Sequence, residues 1–195
     1  MTKHIAIIQG HPDPLGNHYG HALADAYSKG ATEAGHAVCV IDVARLDFSL
    51  LRSKEEFDNG VPPDAIRQAQ ETIRWAEHLV IFYPLWLGSM PALLKAFLEQ
   101  TFRPGFATPK LNGKSPWKRL LAGKSARVIV TMGMPAFFYR WYFRAHSLKS
   151  LERNILGFCG IGPIKESLIG MVEAKDSNKR EKWLRKMHRL GSKGE

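Results

Sequence analysis

Cysteine is scarce in this chain of 195 residues, which has only Cys39 and Cys159, far apart in sequence. Each sits among apolar neighbours, in Val38-Cys39-Val40 and Phe158-Cys159-Gly160, and both read as reduced core residues. No C-x-x-C, H-E-x-x-H or other His/Cys cluster occurs, so no metal site is expected. Long apolar runs are missing too, since none approaches the roughly 20 residues that span a bilayer. The start, Met1-Thr2-Lys3-His4, lacks a signal peptide's charged and apolar regions, and the chain reads as cytoplasmic. There is no G-x-G-x-x-G and no Walker loop, which argues against the commonest dinucleotide and nucleoside-triphosphate folds. Paired carboxylates, a Ser/His/Asp arrangement, internal repeats and low-complexity segments are also absent.

Acidic residues are the minority charge, 18 against 28 Lys and Arg, for a formal charge of +10. Such an excess favours anionic ligands, anionic surfaces or nucleic acid without choosing among them. Much of it lies in Lys175, Lys179, Arg180, Lys182, Arg185, Lys186, Arg189 and Lys193, interleaved with Trp183, Leu184 and Met187. That spacing reads as a final amphipathic helix with a solvated basic face. No helix-turn-helix, zinc finger or RNA-binding signature accompanies it, so no nucleic-acid partner is expected.

What is present is an alternation of short apolar runs and helical patterns. Strands are expected at Ile5 to Ile8, Ala37 to Ile41, His78 to Phe82, Ala126 to Thr131 and Lys165 to Val172. Helices are expected from about His18 to Ala34, Ile66 to Trp75, Pro91 to Thr101, Ser147 to Leu156 and over the basic C-terminus. The stretches Leu46 to Asp64 and Phe102 to Lys124 read as irregular, and the second is long enough to suggest a functional or subunit-contacting loop. Five strands alternating with five helices imply an α/β fold with a doubly wound parallel sheet, in one domain spanning residues 1 to 195. Ligands of such sheets bind at the carboxyl ends of the strands.

Three loops leave those ends. Gly10-His11-Pro12-Asp13-Pro14-Leu15-Gly16-Asn17-His18 enters a helix whose first amides suit a phosphate. Pro84-Leu85-Trp86-Leu87-Gly88-Ser89-Met90 leads to a helix begun by Pro91. Thr131-Met132-Gly133-Met134-Pro135-Ala136-Phe137-Phe138-Tyr139 follows the fourth strand. Read as residues alone, the first loop could be a plain turn with a helix cap, Trp86 a core residue, and Tyr139 a member of an aromatic cluster with Phe137, Phe138, Trp141, Tyr142 and Phe143.

The run PLW(x)GSMPALLK, with FRPGFA further on, resembles the NAD(P)H:quinone oxidoreductases of flavodoxin-like fold, a group that includes the ancillary flavoproteins of bacterial potassium-efflux systems. The resemblance extends from the first strand to about Val172. It implies a five-stranded sheet of order 2-1-3-4-5 and a bound flavin, FAD or FMN. His11, Gly16, Asn17 and His18 would lie at the flavin phosphate. Pro84, Leu85, Trp86 and Leu87 would lie along the isoalloxazine, and Thr131, Met132, Gly133, Met134 and Tyr139 at its N1 and C2-oxygen edge. Tyr139 and His146 would serve catalysis, although His146 follows Tyr139 by seven residues where relatives have six. Leu87 replaces a frequent tryptophan, and the first loop departs from H-P-x-P-x-S-F-N after Pro14.

The function implied is hydride transfer from NADPH or NADH through the flavin to a quinone or similar flat acceptor. Phe102, Phe106, Trp117 and the Phe137 to Phe143 cluster offer flat apolar surface for that acceptor. Thr108 and Lys110 stand where animal quinone reductases carry tyrosines. Relatives are homodimers with sites at the subunit junction, and the same is expected here. The alternative is a regulatory flavoprotein subunit of a potassium-efflux antiporter, with peripheral membrane or antiporter association. His4, His21, His36, His78 and His188 read as structural or solvated, and Lys95 with Glu99 as a surface ion pair one helical turn apart.

Overall fold

Five parallel strands form one sheet in the order β2-β1-β3-β4-β5. The structure, a computed structural model, describes residues 2–110, 118–174 and 176–195. Trp117 and Lys175 therefore lie outside the described residues. The strands are β1 (His4–Gln9), β2 (Ala37–Asp42), β3 (His78–Pro84), β4 (Ser125–Thr131) and β5 (Ile164–Ile169). Between and after them run α1 (Tyr19–Glu33), α2 (Lys54–Asn59), α3 (Asp64–Trp75), α4 (Ala92–Thr101), α5 (Ala136–Trp141), α6 (His146–Ser150) and α7 (Ser177–Ser192).

The middles of the inner strands, Ile5 to Ile8, Leu79 to Phe82 and Val128 to Val130, are apolar because both of their faces are covered. Ala6 and Ile8, Leu79 and Ile81, and Val128 and Val130 point into a core with α3, α4 and α6. Ile5 and Ile7, Val80 and Phe82, and Ile129 point into a second core with α1 and α7. The two last-named helices touch backbone to backbone. A Cβ on Gly30 would fall 2.0 Å from the His188 carbonyl oxygen, and one on Gly191 2.0 Å from that of Tyr27. No other residue type fits at that crossing.

Several boundaries differ from the sequence reading. β5 ends at Ile169 rather than Val172, because Gly170 and Met171, the latter at φ 59°, turn the chain across the loop after β4. The stretch Leu46 to Asp64 contains α2, whose start is capped by the Ser53 hydroxyl accepting from the Glu56 amide at 3.0 Å. The third loop is not wholly irregular, since its second half is α5. The helix expected from Ser147 to Leu156 begins one residue earlier as α6 and widens into a π-helical segment, Leu151–Gly157. Cys39 is exposed on the edge strand β2, which corrects its reading as a core residue, whereas Cys159 is buried and its thiol is pushed up to about 11 by that burial.

Candidate active site

β1, β3 and β4 end side by side, so the loops that leave them start within one strip of the sheet's carboxyl edge. The Leu85 amide donates to the Thr131 carbonyl at 2.7 Å, joining the roots of the second and third loops. The His11 ring meets Trp86 edge-on with centroids 6.1 Å apart, joining the first loop to the second.

In the first loop His11 is buried while Gly16 and Asn17 are exposed and His18 is half-buried. The His11 and His18 rings stack at 3.9 Å, and His21, one turn into α1, lies 5.2 Å from His11. The His18 Nε2 stands 2.6 Å from Asp13 Oδ2, which holds its ring in place. Burial first, then the like charges of His18 and His21, lowers the His11 pKa to about 4. Burial also lowers His21, and its Nδ1 is buried without a hydrogen-bond partner. α1 opens with no side-chain cap at His18. An uncapped helix start, with its outward amides, and clustered imidazoles, one with an orphaned nitrogen, form a donor set that fits a phosphate.

His21 was read from sequence as structural, and the structure places it in this cluster. No local signal marked it, because His18 precedes α1 in extended backbone and the contact with His11 comes from the fold of the first loop. Gln9, whose Oε1 accepts from the His11 amide at 3.2 Å, and Arg45, which donates to the Pro14 carbonyl at 2.9 Å, also brace the loop. No local pattern marks either, Gln9 being the last residue of β1 and Arg45 lying in the short helical turn after β2. His78 and His188 do have structural roles, bonded to Ser125 Oγ at 2.8 Å and Glu33 at 2.7 Å.

The second loop is a tight turn in which Trp86 and Ser89 exchange backbone hydrogen bonds at 2.9 Å. Its two central residues, Leu87 and Gly88, have φ of 46° and 77°, a pairing that suits glycine and strains leucine. The turn leaves Trp86 half-exposed at 51% and Leu87 fully exposed, with Pro84 and Leu85 half-buried at its root.

The third loop is stitched to the end of β5. Met132 donates to Ile169 at 2.9 Å, and Val172 and Met171 donate to Met132 and Met134, each at 3.2 Å. Thr131 and Met132 are buried, Gly133 is exposed and Met134 half-buried. Tyr139, expected at the flavin edge, is 1% exposed. Its hydroxyl lies 2.7 Å from Ser147 Oγ and accepts from the Leu148 amide at 3.2 Å, so it is engaged at the start of α6. His146 is exposed at the first turn of α6, and no bond brings it to Tyr139.

A cavity of about 710 Å³ lies apart from these loops, along the outer face of α4, where Leu98, Phe102, Thr108 and Lys110 line it. Phe102 and Phe106 are buried, so neither presents a flat open face, whereas Phe137, Phe138, Trp141, Tyr142 and Phe143 are exposed. Lys95 and Glu99 form the expected ion pair on α4. Among the described residues no group of His, Cys, Asp and Glu could hold a metal ion, and no helix is long and apolar enough to cross a membrane.

Residues 3–190 match the family described as having a flavodoxin-like fold. A Haemophilus influenzae protein named as an NAD(P)H oxidoreductase is 30% identical over 90% of this chain and 87% of its own length. A glutathione-regulated potassium-efflux system ancillary protein of Escherichia coli is 37% identical over 39% of this chain and 38% of its own. Among solved structures, an NAD(P)H:quinone oxidoreductase from Methanothermobacter marburgensis superposes with a TM-score of 0.81, covering 98% of this chain and 96% of that one at 24% identity.

Proposed function

This chain belongs to the flavodoxin-like fold family, and within it we propose a flavin-dependent NAD(P)H dehydrogenase that reduces quinones or similar flat acceptors by two electrons. The observation that carries this reading is the meeting of three loops at one edge of the sheet, with Trp86 beside His11 and Leu85 bonded to Thr131. The long match to a protein named as an NAD(P)H oxidoreductase supports an enzyme, while the match to the potassium-efflux ancillary protein covers only 39% of this chain.

A bound flavin supplies the relay of hydride between nicotinamide and acceptor. The uncapped start of α1, with His11, His18 and His21 and the Gly16 and Asn17 backbone, would hold its phosphate. Asp13 keeps His18 oriented. Pro84, Leu85, Trp86 and Leu87 would border a bound flavin's ring system, and the Gly133 and Met134 amides would supply fixed donors to it. Buried Tyr139 acts here as a positioning residue, fixing α5 against α6, and exposed His146 stays available as a proton donor. The acceptor lies over the open side of Trp86.

One domain carries all of this, since both cores rest on a single sheet. Two chains join through the groove along α4, whose apolar lining suits a second copy. The reading places the chain in the cytoplasm, where reduced nicotinamide cofactors are supplied. Purified protein given FMN or FAD turns yellow, oxidises NADPH or NADH in the presence of menadione, and releases on heating a flavin identifiable by mass. Protein that stays colourless and inactive with both flavins overturns the proposal.

A further inference from the structure

The segment Phe137-Phe138-Tyr139-Arg140-Trp141-Tyr142-Phe143-Arg144 turns its aromatic face outward. Tyr139 is buried in the core and tied to Ser147 and Leu148, which fixes α5 in place. Phe137 and Trp141, and Phe138 and Tyr142, four apart, then share the opposite side. Trp141 is 78% exposed, Tyr142 71% and Phe137 67%. Phe138 stacks on Tyr142 at 4.9 Å, and Phe143 meets both edge-on, so these three rings form one cluster, with Phe137 and Trp141 exposed on the same short segment.

Beside that patch lies a concavity of about 600 Å³ whose rim carries Arg140, Arg144, Lys149, Arg153 and Lys165 against two carboxylates, Glu152 and Glu166. Arg140 is paired with Glu166, and Lys165 lies 3.3 Å from Glu195. Arg144, Lys149 and Arg153 are exposed next to the rings. Tryptophan, tyrosine and phenylalanine bounded by arginine and lysine match the chemistry of a bilayer interface, where rings enter the headgroup layer and cations meet anionic phosphate. An acidic protein groove would satisfy the cations, but it would leave the open rings of Phe137 and Trp141 without an apolar host.

We propose that the α5 aromatic patch and its basic rim dock this protein reversibly on an anionic phospholipid surface. The proposal goes beyond the flavin reading and stands without it. A peripheral site of this kind would let a reductase meet lipid-dissolved acceptors. Each cation near the surface contributes roughly fivefold to the partition constant, and the contribution fades with salt.

The test is flotation of the flavin-loaded full chain with vesicles of phosphatidylcholine, alone or containing about a third phosphatidylglycerol. The expected result is flotation with the anionic vesicles at low salt, loss on raising the salt, and little flotation with phosphatidylcholine alone. Phe137→Ala with Trp141→Ala lowers the partition about tenfold or more, and Arg144→Gln with Lys149→Gln lowers it roughly twentyfold. Both variants keep their flavin content, and Arg144→Gln with Lys149→Gln keeps its turnover with soluble menadione. Flotation reads binding, not turnover, so it separates this proposal from the reductase reading. The proposal is overturned if the wild type does not float, if both variants float unchanged, if the aromatic variant halves the mass in solution, or if single-stranded oligonucleotide is bound through these residues while vesicles are not.

Discussion

His11 and His78 are both held near a pKa of about 4, chiefly by burial, and they do different things. His78 sits at the foot of β3, bonded to Ser125, and its next influences are Lys3 and Arg127, which belong to the scaffold. His11 sits where a phosphate fits, and its next influences are two further imidazoles. In the free protein His11 is neutral at pH 7, because its pKa lies below the ordinary 6.5. A phosphate favours the imidazolium and so raises that pKa, and binding then takes up protons. Flavin affinity is therefore lowest and flat at alkaline pH, climbs as pH falls through the bound-state pKa, and levels off below about 4. His11→Asn removes His11's share of this slope, while that of His21, which burial also lowers, and the phosphate's own second ionisation remain in both proteins. It also weakens binding at neutral pH by about 2 kcal/mol, roughly thirtyfold, the scale of a hydrogen bond to a charged group. Flavin titrations of both proteins between acid and alkaline pH check slope and offset together. The sequence makes His11 and His18 visible through the words around them. It conceals His21's part, because an imidazole on a helix becomes a ligand group only when a neighbouring loop folds over it.

At the scale of elements, the third loop shows why some of the fold is legible and some is not. β1, β3 and β4 read clearly because strands covered on both faces carry continuous apolar runs, here Ile5 to Ile8, Leu79 to Phe82 and Val128 to Val130. α2 carries a readable start, Ser53 followed by Glu56, inside a stretch otherwise polar enough to pass for loop. α5 reads as loop because its outward face is aromatic, so it lacks the polar and apolar alternation of an ordinary surface helix. The end of β5 is set by contact rather than by pattern. A Cβ on Gly170 would fall 2.4 Å from the Ala136 amide nitrogen and 2.6 Å from the Met134 carbonyl oxygen. Gly170→Ala must push the third loop away from β5, at about 1–3 kcal/mol. The expected outcome is a melting temperature lower by several degrees, at about 2–4 °C per kcal/mol for a chain of this size. Flavin affinity falls alongside, because the displaced backbone carries Gly133 and Met134. Thermal unfolding with and without flavin checks both, and the variant's deficit is larger with flavin.

Across the whole molecule, two cores share one sheet and leave three surfaces with distinct characters. The loop edge concentrates histidines, the α4 face carries the 710 Å³ groove, and the β5 edge is basic. The charge excess, which composition alone assigns mostly to the C-terminal helix, thus has a second focus around α5 and α6. In solution the proposed pairing along α4 gives a mass near twice 22.0 kDa. Phe158→Glu, at an exposed residue of the groove lining, places a charge there and is expected to shift the protein toward the single-chain mass with its fold retained, as gel filtration and circular dichroism would report. A wild type that elutes near the mass of one chain argues against the pairing.

Local regularities decided much of this protein before any folding in space. Apolar runs of strand length and helical spacings between them determine a five-stranded α/β sheet with loops at its carboxyl edge, because these depend on residues close in the chain, while the order 2-1-3-4-5 came from the resemblance that the loop words carry. Only tertiary structure decided that His21 joins His11 and His18, that the Tyr139 hydroxyl turns inward to Ser147 and Leu148, that Cys39 lies on an exposed edge, and that aromatics and cations share the face beside β5. Each of these depends on burial and on partners distant in sequence, and no spacing within the chain encodes how deeply a group loses water or which remote segment comes to cover it.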